Sequence, residues 1–314
     1  MKHFDAEHIE RALNFPTLVD VLDRAFAADW TTPDRVHLTM SQDPEKYLLL
    51  MPAWTGSGDR SYTGIKVVAV HPENSTRHGL PSIHALYYLM DGETGEPLAT
   101  MDGTRMTLWR TAAASALASR YLSRPDSSEL TMIGSGALAP YMIRAHMAVR
   151  PITTVNLWNH NIRTAHVLAE RLRAEGLPVT SHPDLVSAVK RSDIVSAATL
   201  SMTPLIFGAW LKAGTHVDTV GAFTPTRRET DDDVVRMARV YCDTISGATH
   251  EGGDLAIPLA EGVISPSHIV GDLHALCRGH VPGRRNDDEV TYFKSVGTAV
   301  EDLAAAAALW EVGG

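Results

Sequence analysis

Three cationic side chains lie in segments that otherwise carry apolar or neutral residues. Arg110 stands in "MTLWRTAAASALASRYL", Lys66 in "TGIKVVAV" and Arg35 in "TTPDRVHLTM". Nine neutral residues follow Arg110, so no carboxylate lies one or two turns along the predicted helix to pair with it. An unpaired charge in a packed, Ala-rich helix is costly. A ligand carboxylate would balance these cations, so we expect an anionic small-molecule substrate.

Lys66 and Arg35 each have a second interpretation. Lysines in half-buried strands usually point to solvent, and alternation along "TGIKVVAV" does not exclude this for Lys66. A single arginine in a predicted loop, such as Arg35, is usually a surface residue. If Lys66 points into a site instead, its ammonium is able to hold a carboxylate or transfer a proton.

A glycine motif lies between a predicted strand and a predicted helix. "LTMIGSGALAP" places Gly134, Gly136 and Ala139 in G-x-G-x-x-A spacing. Gly134 would permit the tight turn, Gly136 would let a pyrophosphate approach the backbone, and the helix N-terminus would supply positive partial charge. The motif therefore predicts a dinucleotide-binding turn.

The next predicted strand ends without an acidic residue. An acid at this position binds the ribose hydroxyls of NAD and repels a 2′-phosphate, whereas this chain has Asn159, His160 and Asn161, followed by Arg163. The segment favours NADPH, with NADH as the second possibility. The other interpretation of Arg163 is a solvated first turn of a helix.

The predicted elements that position these residues change in kind near residue 130. From there, short β-rich runs alternate with helices, which predicts a parallel sheet. Before it, one helix, "PTLVDVLDRAFAADW", precedes four strand-like runs, which suggest a separate mixed or antiparallel sheet. We expect an α/β protein in which a Rossmann dinucleotide-binding domain is inserted in a second, α+β domain. The last helix, from Gly297 to Trp310, is expected to return to that second domain.

Composition limits the classes of ligand. The chain has 314 residues and 44% hydrophobic content, enough for two cores. A net charge of −9 and a pI near 5.9 argue against nucleic acid or an anionic membrane as a partner. No apolar run has the roughly 20 residues of a membrane span. The two cysteines are far apart without metal-ligand spacing. We expect a cytoplasmic protein with no structural metal.

Five segments together resemble the ornithine cyclodeaminase/μ-crystallin family over essentially the whole chain. They are "GIKVVAVHPEN", "GLPSIHALYYLMDGETGEPLATMDGTRMTLWRTAAASALASRYL", "MIGSGALA", "TVGAFTPTRRET" and "YFKSVGTAVEDLAAA". The resemblance implies a homodimer with a substrate-binding and dimerisation domain (residues 1–121 with 295–314) and a Rossmann NAD(P)-binding domain (122–294). It also implies that Lys66, Arg110 and Arg35 contact the substrate carboxylate. The implied cofactor contacts, beside the glycine turn and Arg163, are Ser82, Thr111, Ala137, Leu138, Asn159, His160, Asn161, Thr199, Leu200, Val220 and Ser295.

One residue departs from the cyclodeaminase pattern. Members that cyclise ornithine have an acid two residues after the glycine of "TVGAF", where this chain has Phe223. A phenyl ring cannot hold an ammonium by charge or accept its proton. The segment resembles members that reduce cyclic ketimines, Δ1-pyrroline-2-carboxylate and Δ1-piperideine-2-carboxylate, to L-proline and L-pipecolate. Phe223 would then contact the substrate ring, and Lys66 would favour the protonated imine. The alternatives are an ornithine cyclodeaminase, an enzyme similar to alanine dehydrogenase, and a ligand-binding protein similar to μ-crystallin.

Overall fold

A computed structural model describes residues 1–42, 45–56 and 60–313. The chain divides into two compact units, which are Met1–Arg110 with Thr298–Gly314 (unit 1) and Thr111–Gly297 (unit 2). The assignment of functional domains to 1–121 with 295–314 and to 122–294 stays a prediction.

Unit 1 is built on a mixed sheet. Within its described residues, six strands take the order β1-β6-β5-β4-β3-β2, in which β1 and β6 are parallel and the other neighbours antiparallel. This agrees with the predicted mixed or antiparallel sheet. Its elements are β1 (Lys2–Phe4), α1 (Ala6–Ala12), α2 (Phe15–Ala27), β2 (Val36–Gln42), β3 (Glu45–Trp54), β4 (Tyr62–Val70), α3 (Asn74–Arg77), β5 (Ile83–Asp91), β6 (Pro97–Asp102), the start of α4 (Gly103–Leu122) and α12 (Ala299–Gly313).

Helix α12 covers one face of this sheet, and α2 packs against α12. Helix α2 buries Phe15, Leu18, Leu22 and other apolar residues at helical spacing, and the Asn14 side chain caps its first turn by accepting from the Thr17 amide. Helix α12 packs against α2, β4 and β3. It is buried almost throughout, because its many alanines let the surrounding backbones approach closely. The residues of α12 therefore lie in the core of unit 1.

Unit 2 is a parallel α/β layer structure. Its described strands form one sheet of eight, in the order β13-β12-β14-β11-β10-β7-β8-β9, and all neighbours are parallel. The elements are β7 (Glu129–Ile133), α5 (Ala139–Val149), β8 (Thr154–Trp158), α6 (Ile162–Ala174), β9 (Val179–Ser181), α7 (Leu185–Arg191), β10 (Ile194–Ala197), β11 (His216–Thr219), α8 (Asp232–Met237), β12 (Arg239–Cys242), α9 (Ile245–His250), α10 (Gly253–Ala260), β13 (Ile269–Asp272), α11 (Leu273–Cys277) and β14 (Thr291–Lys294), with 3₁₀ helices at Gly208–Trp210 and Pro266–His268.

The strand order of unit 2 reverses direction beside β7. Strand β8 lies on one side of β7, and β10, the second strand after β8 in sequence, lies on the other. Ligands of such sheets bind outside the carboxyl ends of the strands at this switch point. A dinucleotide site is therefore expected at the loops that follow β7, β8, β10 and β11.

No helix in the described ranges combines the length and the apolar character that a membrane crossing requires.

Candidate active site

Lys66 points into the core of unit 1. It lies in a row of Cα partners across four strands, with Met51, Tyr87 and Met101, and all four residues are buried. This is the sheet face that α12 covers, and Lys66 is only 2% exposed. The solvent-facing interpretation of Lys66 is therefore wrong.

Two neighbouring acids of α12 meet the buried cations. The Lys66 ammonium lies 2.8 Å from Oδ1 and 2.7 Å from Oδ2 of Asp302. Arg110 Nε lies 3.0 Å from the same Oδ1, and Arg110 Nη1 donates to Glu301 Oε2. The chain itself thus balances the charge of Arg110, which corrects the inference that only a ligand would do so. The overlooked signal was the acidic pair in the otherwise apolar "TAVEDLAAAAALW".

The pKa of Lys66 reflects the charges of two neighbouring arginines. Burial lowers the pKa of Lys66 to about 8, the charges of Arg110 and Arg35 act in the same direction, and Asp302 opposes them. Arg35 is half-buried just before β2. Three cations thus act on one another in unit 1, and two of them are buried. Such a set of cations suits a ligand carboxylate.

Tyr87 lies on β5, directly opposite Lys66 of β4. Burial and the charge of Asp302 raise the pKa of its hydroxyl well above the usual range, so it stays protonated. A Cβ at Gly64 would lie 2.1 Å from the Tyr87 hydroxyl oxygen. The glycine two residues before Lys66 therefore makes room for this ring.

The glycine turn of unit 2 has the predicted form. Gly134 has a φ of 105°, and a Cβ there would lie 2.7 Å from the Ala198 carbonyl oxygen. A Cβ at Gly136 would meet no atom within 4 Å. Ala139 is buried at the start of α5, whose cap residue is Leu138. The open side of Gly136 is where a diphosphate would approach the backbone.

A cavity of about 410 Å³ opens beside this turn. It is lined by Ser135, Gly136, Ala137, Arg163, Thr164, Val167, Leu168 and Arg171. The turn and two arginines of α6 thus face the same space. The glycine backbone, the start of α5 and these cations fit the phosphates of a dinucleotide.

The loop after β8 is held by its own asparagines. Asn161 Oδ1 accepts from the Arg163 amide at 3.1 Å and caps α6, and Asn159 Nδ2 donates to Thr164 Oγ1 at 2.5 Å. The Thr164 hydroxyl also lies 2.9 Å from the Ser135 hydroxyl of the glycine turn. His160 is exposed. Hydrogen bonds therefore hold residues 159–164 in place, and none of these residues is acidic.

The other implied cofactor residues lie in different environments. Thr199 and Leu200 follow β10, where Leu200 is 61% exposed, and Val220 follows β11 and is buried. The Ser295 hydroxyl donates to Asp243, and Thr111 is buried in α4. Ser82 belongs to unit 1, where its hydroxyl donates to the Pro72 carbonyl. The structure thus brings Thr199, Leu200 and Val220 to the carboxyl ends of two adjacent strands, β10 and β11.

Phe223 is 36% exposed in the segment after β11. Two acids that follow Phe223 in the chain, Glu229 and Asp254, are fully buried. Glu229 accepts from the Thr199, Gly221 and Ala222 amides, and Asp254 pairs with Lys294. Both carboxylates are engaged within unit 2. Across the described ranges, no group of three or more His, Cys, Asp or Glu side chains is arranged to hold a metal ion.

Comparisons with known proteins cover the whole chain. The family model for the ornithine cyclodeaminase/mu-crystallin family matches residues 4–312. The Δ(1)-pyrroline-2-carboxylate reductase of Colwellia psychrerythraea is 37% identical over 98% of this chain and 97% of its own. The structure of the Thermococcus litoralis Δ(1)-pyrroline-2-carboxylate reductase, in complex with NADH and L-proline, is 34% identical, with a TM-score of 0.93 over 99% of this chain and 97% of that one. An archaeal alanine dehydrogenase dimer with bound NAD is 29% identical, with a TM-score of 0.91 over 99% and 95%.

The family model matches nearly the full length of the chain, and the relatives are similar over the same length. The chain belongs to the ornithine cyclodeaminase/mu-crystallin family.

Proposed function

We propose that this protein reduces a cyclic ketimine carboxylate with NAD(P)H. The substrates would be Δ1-pyrroline-2-carboxylate or Δ1-piperideine-2-carboxylate, and the products L-proline or L-pipecolate. The observation that carries the proposal is the pair of buried cations Lys66 and Arg110, on which the charge of the half-buried Arg35 also acts, because cations held in this way suit a carboxylate. Relatives that are 34–37% identical and bear the name of this reductase support it.

The chain's own residues would bind and orient the substrate. Arg110, fixed by Glu301 and Asp302, offers a planar fork to the carboxylate, and Lys66 and Arg35 add charge. Holding the carboxylate fixes the position of the imine carbon, and such positioning supplies much of the rate. The Lys66 ammonium would donate its proton to the imine nitrogen, directly or through water, which leaves Lys66 as a neutral amine and gives the more electrophilic protonated imine.

The reduced nicotinamide, when bound, supplies the hydride. One hydride to the imine carbon and one proton to the nitrogen convert the C=N bond into an amine, and no ammonia is released. Gly134, Gly136, Ala137 and the start of α5 would hold the diphosphate.

Each of the three alternative activities differs from ketimine reduction in one respect. A cyclodeaminase needs a group that binds the ammonium of ornithine, and Phe223 offers only an apolar surface for ring methylenes. An enzyme similar to alanine dehydrogenase would act on an open-chain imine. A ligand-binding protein would bind without turnover.

We also propose that NADPH is preferred to NADH. Arg163 and Arg171 line the cavity beside the glycine turn, and the ribose-facing segment carries Asn159 where an NAD-specific protein has an acid. Two cations and no anion favour a 2′-phosphate.

We propose in addition that two copies pair through unit 1, in the cytoplasm. Val36, Leu50, Val67 and Leu86 are Cα partners in a row across β2, β3, β4 and β5, on the face opposite α12. Val36 and Leu86 are 45% and 46% exposed, and Trp54 and Leu38 extend the apolar surface. A sheet face of this kind suits a self-complementary contact with a second copy.

The test is turnover of a small substrate panel. Purified protein is assayed for NADPH and NADH oxidation with the two cyclic ketimines and with pyruvate plus ammonia or methylamine, and for ammonia release from L-ornithine. We expect rapid reduction of a cyclic ketimine and no ammonia from ornithine. Ammonia release at a rate similar to imine reduction would contradict the proposal, and binding of a ketimine without turnover would favour a ligand-binding protein.

A further inference from the structure

The carboxylate of Glu229 ties together the ends of two neighbouring strands. Its Oε1 accepts from the Thr199 amide at 2.6 Å and the Thr199 hydroxyl at 2.8 Å, just after β10. Its Oε2 accepts from the Gly221 amide at 2.7 Å and the Ala222 amide at 3.3 Å, just after β11. Four donors from two loops thus converge on one fully buried side chain.

The two loops approach each other closely at this point. A Cβ at Gly221 would lie 1.8 Å from the Thr199 carbonyl oxygen and 2.6 Å from Glu229 Oε1. Only a glycine fits between the loop after β10 and the carboxylate. The spacing between the loops therefore depends on Glu229 and Gly221 together.

The position of Glu229 is in turn fixed by a second buried acid. Asp254 Oδ1 accepts from the Glu229 amide at 2.7 Å and the Thr230 amide at 2.9 Å. Asp254 Oδ2 pairs with the buried Lys294 ammonium at 2.9 Å. Asp254, on α10, thus holds the backbone that carries the Glu229 side chain, and Lys294, on β14, holds Asp254.

The loops that Glu229 joins follow β10 and β11, beside the switch point of the parallel sheet. Ligands of such sheets bind outside these strand ends. We propose that Glu229 is a positioning residue for dinucleotide binding, whose carboxylate sets the spacing between the loops after β10 and β11. This inference rests on the proposed function, because the ligand of these loops is the proposed dinucleotide.

The protonation state of Glu229 makes the proposal testable by pH. Burial raises the pKa of Glu229 to about 7, the charge of Asp254 acts in the same direction, and Lys294 and the Thr199 donors oppose it. An ionised carboxylate accepts all four hydrogen bonds, whereas a protonated one carries a donor where an acceptor is needed. The four hydrogen bonds that tie the two loops together should therefore weaken as the pH falls through about 7.

The first experiment measures the loops directly, without any ligand. Hydrogen exchange gives the protection factors of the Thr199, Gly221 and Ala222 amides in wild type and in Glu229→Gln. The amide nitrogen of Gln faces one pair of donors, so we expect protection of that pair to fall by about tenfold or more. In wild type, protection should fall as the pH is lowered through about 7, and in Glu229→Gln it should not depend on pH in this way.

The second experiment measures the dissociation constant of NADH, whose ribose 2′-hydroxyl does not titrate in this range. We expect Glu229→Gln to weaken NADH binding by about tenfold. Wild-type affinity should decrease as the pH falls through about 7, and the variant should lack this dependence. The KM for the ketimine should change less than the dissociation constant of NADH.

Asp218→Asn is the matched control. Asp218 is also a fully buried carboxylate of unit 2, but its Oδ2 contacts Ser196 on β10 and His146 on α5 instead of the loops after β10 and β11. We expect this variant to lose thermal stability while it keeps wild-type protection at the three amides and wild-type pH dependence.

Thr199→Val tests the same contact if Glu229→Gln does not fold. It removes one hydroxyl donor to Oε1 and keeps the backbone amide. Because that donor favours the ionised form, its loss should move the midpoint of the pH dependence upward.

Wild-type protection and NADH affinity in folded Glu229→Gln, or equal losses in Asp218→Asn, would overturn the inference. A wild-type protein that binds neither NADH nor NADPH would contradict the proposed function and with it the role in dinucleotide binding. In that case the exchange data would still report on the tie between the loops.

Discussion

Arg110 illustrates how the geometry of one side chain limits substitution. Its guanidinium reaches Asp302 through Nε and Glu301 through Nη1. A lysine keeps the charge but has one point of contact, so it cannot hold two acids and a substrate carboxylate in one plane.

We expect Arg110→Lys to lower kcat/KM for the ketimine by about 100-fold while NAD(P)H affinity stays near the wild-type value. Steady-state kinetics and cofactor titration measure the two quantities separately. Arg105→Lys is the control, because Arg105 lies on the same helix in an ion pair with Glu10 at the surface. Near wild-type turnover in Arg110→Lys would contradict the assignment of this residue.

The pH dependence of activity should report on Lys66. Its pKa is lowered to about 8, so Lys66 is charged below that pH and neutral above it. Since the proposed mechanism uses the ammonium to bind the carboxylate and to donate a proton to the imine, kcat/KM should fall as the pH rises through about 8. Asp302→Asn removes the group that raises this pKa, and the alkaline limb should move to lower pH.

Glu301→Gln serves as the comparison for Asp302→Asn, because Glu301 pairs with Arg110. We expect it to lower kcat/KM but to leave the alkaline limb near pH 8. The same shift in both variants would mean that the limb does not belong to the pair of Lys66 and Asp302.

At this scale the sequence showed which charges needed partners but not which partners they would find. Lys66 and Arg110 were conspicuous because they interrupt apolar or neutral segments. Their acids lie 236 and 191 positions further along the chain. A pairing over such a separation depends on how α12 packs on the sheet, and no local pattern encodes that packing.

At the scale of elements, burial decides which strands could be predicted. Strands β7 and β10 are buried along nearly all of their length and are largely apolar in sequence, whereas β11, HVDT, is equally buried but mostly polar. Strand β2 was instead predicted as a loop. It is an edge strand that is exposed along most of its length, and its pairing with β3 shifts register between Thr39 and Ser41. The burial of its side chains shows neither the two-residue period of a half-buried strand nor the 3.6-residue period of a helix.

The loop after β8 gives the prediction for this scale. We expect wild type to use NADPH several-fold better than NADH, and Asn159→Asp to reverse this by placing an anion opposite the 2′-phosphate. The loop itself should persist, because an aspartate at 159 is able to accept from the Thr164 hydroxyl that Asn159 now contacts. The ratio of kcat/KM values for the two cofactors measures the effect. A wild-type preference for NADH would show that this loop forms no phosphate pocket.

For the whole molecule, the exposed apolar row of unit 1 predicts association. Leu86 is the member of that row on β5, next to Val67, and a charge there would have to be desolvated in a contact between copies. We expect the wild type to be a dimer by light scattering and Leu86→Asp to shift it toward monomer. Met237→Asp is the control, because Met237 is a similarly exposed apolar residue, at 51%, on α8 of unit 2. A dimer of unchanged stability in Leu86→Asp would place the interface elsewhere.

The position of α12 in the chain has a consequence for synthesis. The ribosome makes all of unit 2 before it makes the helix that carries Glu301 and Asp302. Until that helix leaves the exit tunnel, Lys66 and Arg110 lack Glu301 and Asp302, and the sheet face on which Lys66 lies lacks the cover of α12. The nascent chain therefore has to keep its first hundred or so residues from misfolding or aggregating while unit 2, whose residues are contiguous, folds ahead of them.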